Sequence, residues 1–237
     1  IVAAELGKAV SKETRVDILV TPLVTIFAGV GLSMLIAAPI GAAASQVGTL
    51  IMWATEQAPF LMGILVSVIV GIALTLPISS AAICAALGLT GLAGGAAVAG
   101  CCAQMIGFAV MSYKENGVGG LVSQGLGTSM LQMPNILRNP RTWIPPTLAA
   151  AITGPIATCL FHLEMNGPAV SSGMGTCGLV GQIGVYTGWI ESGKAVTAFD
   201  WIGLVLICFV LPAVLTYLFG QIERKLGWIR EGDLKLD

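Results

Sequence analysis

The chain has 237 residues, 56% of them hydrophobic and only 10% charged, with a formal net charge of −1 and a mean hydropathy of +0.90. A soluble surface carries roughly a quarter to a third charged residues, so a water-soluble fold is excluded, and the lack of a basic stripe excludes a nucleic-acid partner. Residues 18–55 and 57–113 contain no Asp, Glu, Lys or Arg, leaving Glu56 alone in that stretch.

A lipid bilayer is therefore the solvent, and the continuous apolar runs select helices over a barrel, whose strands would alternate. At about 20 apolar residues per crossing, the expected fold class is all-α. It is a polytopic helical membrane protein with about six spans and one or two Gly-rich re-entrant or broken segments.

Residues 1–17 pattern as an amphipathic interfacial helix, with Val2, Leu6, Ala9 and Val10 on one side and Lys8, Lys12 and Arg15 toward headgroups. They lack the layout of a signal peptide, and the start at Ile1 leads us to expect further spans upstream. The transmembrane domain is expected over 18–221. Its first span, 18–38, carries a ridge of small residues, Gly29, Ser33, Ala37 and Gly41, suited to close helix packing. Pro39 and Gly41 predict a break, with a semi-polar interfacial stretch over 42–56. The second span, 60–78, has its own ridge: Gly63, Ser67, Gly71, Thr75 and Ser79. The run GLTGLAGGAAVAG (88–100) is too glycine-rich for an ordinary helix, which predicts a break before a span near 97–113.

Beyond 114 glycine and polar residues gather. Segment 117–137 is apolar yet carries Ser123, Gln124, Thr128, Ser129, Gln132 and Asn135, and reads either as a span or as re-entrant. RNPRTWIPP (138–146) is a rigid basic corner fixed by prolines. A span follows at 143–163, then the Gly-rich segment 166–189, read as re-entrant, and a last span at 200–221. Residues 222–237 form a charged tail whose four basic residues place it in the cytoplasm by the positive-inside rule. The basic residues near the start argue for the same side, so the number of crossings is even.

Non-helical backbone survives at membrane depth only when buried in protein or lining a watery cavity. Two Gly- and polar-rich segments, 117–139 and 164–188, flank a normal span and so point at a solute cavity. The alternative is that their glycines serve packing alone. Glu164 is the sharpest candidate, because intramembrane carboxylates are functional by default and one could accept from sugar hydroxyls. It could also sit in headgroup water. His162, two residues away, falls on a different side if the helix continues. Arg138 and Arg141, with Asn135 and Asn139, could clamp an anionic or polyhydroxyl solute or simply set topology. Gly173, Gly175 and Gly178 would let backbone approach the solute, and Gln132, Asn135, Asn166, Thr176 and Gln182 would supply hydrogen bonds. No nucleophile–base pair and no phosphate loop is legible, so no enzymatic activity is expected. No cofactor is expected, and with one histidine and no CxxC pair no zinc either. The six cysteines read as small buried residues.

The run SQGLGTSMLQMPNILRNPRTWIPPTLAAAITGPIATCLF (123–161), NGPAVSSGMGTCGLVGQIG (166–184) and LPISSAAICAALGLTGLAGGAAVAG (76–100) resemble the bacterial phosphotransferase-system EIIC-like family. That family includes the perfringolysin regulator-like membrane proteins. The resemblance implies a multi-pass protein of the bacterial inner membrane, a homodimer, and separate IIA and IIB proteins for any phosphotransfer. It implies a permease for a small hydrophilic solute, most readily a sugar. In sugar-transporting members re-entrant hairpins with a His and a Glu hold the sugar, and His162 and Glu164 are the residues to which that role would carry over. A membrane-embedded sensor that binds without transporting, and a structural assembly subunit, are the rival readings.

Overall fold

The computed structural model describes residue 5, residues 8–11 and residues 17–236. Of the interfacial helix expected over 1–17, residues 1–4, 6, 7 and 12–16 lie outside the described residues. The chain forms two compact units, Ile1–Gln46 and Val47–Asp237. Every site discussed below belongs to the second.

The expected break at Pro39 is not formed. Helix α1 runs unbroken over Asp17–Gln57 with Pro22 and Pro39 inside it, and the stretch 42–56 is helical. A proline costs a helix one hydrogen bond, and apolar membrane helices tolerate that loss. The first small-residue ridge is not packed at Gly41, where an added Cβ would meet nothing within 4 Å.

Helices α2 (Pro59–Thr75) and α3 (Ser80–Leu87) follow, and α3 ends on Gly88 in the left-handed conformation (φ 62°). The next helix, α4 (Gly91–Met111), is the centre of the second unit. Residues 93–105 are buried without exception. The predicted break is confined to 88–91, where Gly88 and Gly91 both have φ 62°, and the later glycines of α4 are helical. Their reason is contact: a Cβ at Gly95 would lie on the Leu163 carbonyl oxygen, and one at Gly100 on the Ser67 carbonyl oxygen. Close backbone approach of this kind offsets the roughly 1 kcal/mol that glycine costs a helix. The second ridge packs as expected. Gly63 faces Gly154 and Thr158, Gly71 faces the Gly100 carbonyl, and the Ser67 hydroxyl donates to the Ala150 carbonyl at 2.8 Å.

Among the described residues, three helical stretches are long and apolar enough to cross a membrane: Gly91–Met111, Pro140–Leu160 and Ala198–Lys225. Pro59–Thr75 is a shorter apolar helix, and Val20–Gly31 is an apolar part of α1. Segment 117–137 takes the broken alternative. Helix α5 (Tyr113–Val122) is interrupted at Gly117 (φ 59°), a π-helical turn covers Ser123–Gly127, and Thr128 is extended. A 3-10 turn (Ser129–Gln132) leads into the short α6 (Met133–Arg138). Helix α7 (Ile144–Pro155) closes with a π-helical turn at Ile156–Leu160. Segment 166–189 is also broken, into short turns and α8 (Val180–Glu191). The last stretch comprises α9 (Ala198–Val205), a π-helical turn and α10 (Leu211–Lys225). The helix therefore continues past the expected boundary at 221. The tail beyond it folds back, burying Ile229 and Leu234 against Phe108, Met111 and Ile136.

Candidate functional site

The helix ends at Leu160, and His162 turns the chain with a positive φ of 44°, a conformation uncommon outside glycine. After that turn, residues 163–166 run extended rather than helical. Met165 and Gly91 exchange both backbone hydrogen bonds, each 2.9 Å, which ties this strand to the start of α4. Successive side chains of an extended segment point to opposite sides. Leu163, Met165 and Gly167 are buried, while His162, Glu164 and Asn166 are exposed. The helix on which His162 would lie on a different side from Glu164 does not continue, and both residues are exposed. The Asn166 amide donates to Glu164 Oε2 at 2.9 Å, pairing a carboxylate and an amide on one edge.

A second group sits at the middle of α4. The Thr176 hydroxyl donates to the Gly125 carbonyl at 2.5 Å, so the two broken segments meet there. Gly175, with φ +53°, lies against Cys101, and Gly173 lies against the Ser80 carbonyl. The Gln182 amide nitrogen donates to Cys102 Sγ at 3.2 Å, whereas its Oε1 is buried with no partner among the described residues.

A third group lies past the far end of α4. Gln124 donates to the Ser112 hydroxyl, Gln132 to Gln124 Oε1, and Asn135 to Gln132 Oε1, each at 2.8 Å. The outer end of this chain of amides is held by the tail. Leu234 O accepts from Gln132 and Asn116, and Lys235 O accepts from Asn135. Asn116 Oδ1 accepts from the Leu236 N–H. Asn139 donates to Trp228 O and to Asp233 Oδ2. Arg141 stacks over the Trp228 ring, 5.3 Å from its centroid, and Arg138 is exposed at the end of α6.

The first and third groups flank α4, which has 21 residues and spans on the order of 30 Å at about 1.5 Å per residue. They stand at its two ends. Clefts of about 860, 500, 240 and 170 Å³ are present, and none is lined by a candidate residue. The candidates instead form three stations along one buried helix.

Sequence reasoning missed the polar link inside the core. Gln104 Oε1 accepts from Thr75 (3.2 Å) and from the Trp143 indole (3.0 Å), and Thr75 is 2.8 Å from the Ser129 hydroxyl. Its signal was available: Gln104 is the one amide within the apolar run 91–111. Of the cysteines, Cys84, Cys101, Cys102 and Cys208 are buried, but Cys159 is exposed.

A family model described as "Phosphotransferase system, EIIC" matches residues 1–236. Comparison with curated proteins and with solved structures gives no match. The family match covers nearly the whole chain, and its apolar helices suit an integral membrane protein. The chain belongs to the phosphotransferase-system EIIC family, the membrane permease component of that system.

Proposed function

We propose that this EIIC protein binds and translocates a small hydrophilic solute of sugar type across the bacterial plasma membrane, as a homodimer served by separate IIA and IIB proteins. The observation that carries this reading is the Glu164–Asn166 pair on an extended strand anchored to the start of α4. A carboxylate accepts from vicinal hydroxyls and an amide both donates and accepts, the combination a sugar ring needs. His162, two residues before Glu164, is also exposed. The stations at Gly173, Gly175, Thr176 and Gln182, and then at Gln132, Asn135 and Arg138, give the solute a polar path along α4.

A ligand that binds the folded protein raises its melting temperature as RT ln(1 + [L]/Kd). Purified protein screened against sugars, polyols and sugar phosphates should yield a hit that Glu164→Gln or Asn166→Ala removes without lowering the unliganded melting temperature. A hit that survives both substitutions refutes the assignment. The sensor reading of the perfringolysin regulator-like kind is favoured by one observation, the tail bonded to Gln132 and Asn135, through which binding could be reported without transport. Uptake of the hit into proteoliposomes separates the two.

A further inference from the structure

Gly91–Met111 and α10 end side by side on the same side of the bundle. Arg224 donates to the Met111 carbonyl at 3.3 Å and pairs with Glu115 Oε1 at 2.8 Å. The Glu115 side chain is only 9% exposed, yet its Oε2 is buried with no partner among the described residues. An acceptor left in that state costs its desolvation, so the position calls for a donor from outside the chain. It borders a cleft of about 860 Å³ rimmed by Lys114, Lys225 and Arg230. None of these three side chains has an ion-pair partner among the described residues, and besides Glu115, which pairs with Arg224, Glu231 is the one further acid lining the cleft. A smaller slot of about 240 Å³ shares Lys114, Gln221 and Arg224 with the cleft and is otherwise lined by Val110, Leu121 and exposed tyrosines. Tyr113 and Tyr217 are 48% and 47% exposed, and tyrosines at span ends mark the headgroup level.

We propose that this paired cleft and slot bind an anionic phospholipid with a hydroxyl-bearing headgroup, of the phosphatidylglycerol type. The phosphate lies among Lys114, Lys225 and Arg230. A headgroup hydroxyl donates to Glu115 Oε2. The start of an acyl chain runs along the slot past Leu121 and Tyr217. A water-soluble phosphate would use the cleft but gain nothing from the slot, which is why the lipid is favoured. The proposal is independent of the solute reading, because no residue it uses belongs to the three stations.

The test uses the purified full chain in neutral detergent, with melting temperature and native mass spectrometry as readouts. Phosphatidylglycerol should raise the melting temperature and remain bound, whereas phosphatidylcholine and glycerol phosphate at equal concentration should not. Lys114→Gln with Lys225→Gln should weaken phosphatidylglycerol binding about thirtyfold, at about fivefold per lysine near an anionic surface. Should the double variant fail to purify, Lys225→Gln alone is read the same way, with about fivefold expected. Equal stabilisation by phosphatidylcholine, equal stabilisation by glycerol phosphate, or unchanged affinity in the lysine variants would each overturn the proposal.

Discussion

Single atoms decide much of this structure. Replacing Gly95 by Ala puts a methyl on the Leu163 carbonyl oxygen, and neither backbone can yield without detaching the strand 163–166 from α4. Overpacking of a tight core costs typically about 1–3 kcal/mol, so Gly95→Ala should lower the melting temperature clearly. Gly41→Ala meets open space and should leave it unchanged or raise it, since alanine is favoured over glycine in a helix by up to about 1 kcal/mol. Equal effects of the two substitutions would refute the packing account. The polar edge was legible at this scale, though read with the wrong period. HLEMNG alternates polar and apolar residues, the signature of an extended segment, but its place at the end of an apolar run suggested more helix.

Elements were legible where apolar length decided them and misread where packing did. Propensity argued against a helix at 88–100, and contacts with neighbouring backbones overrode it. Pro39 argued for a break that α1 does not make. The tail was legible as charged but not as packed, because two apolar residues, Ile229 and Leu234, among many charges leave no periodic trace. Its attachment makes a prediction. Deleting residues 228–237 uncovers Phe108 and Ile136 and strips partners from Asn116, Gln132 and Asn135. Asn116 loses both of its partners and Gln132 and Asn135 one each, at roughly 0.5–1.5 kcal/mol per hydrogen bond, so the truncated protein should melt well below the intact one. Protease should also spare the tail of the intact protein under native conditions. A truncated chain that melts with the wild type would show that the tail contributes nothing to the fold.

At the scale of the molecule, the second unit is built around one buried helix with polar stations at its start, middle and end. Whether they form a path can be asked of Gln182, in the middle. Its Nε2 has only a thiol partner and its Oε1 has none, so the amide is poorly served by the resting fold. Replacing a buried, half-satisfied amide with a similar-sized apolar group removes the desolvation penalty along with the bond, and is close to neutral for stability. Gln182→Leu should therefore keep or raise the melting temperature. If the free oxygen accepts from a solute hydroxyl during passage, the same variant should lose uptake in proteoliposomes while retaining binding at Glu164 and Asn166. That split between intact binding and lost transport is what a station part-way along a path produces. Binding and uptake both at wild-type levels would remove Gln182 from the path, and would leave the middle of α4 as packing alone.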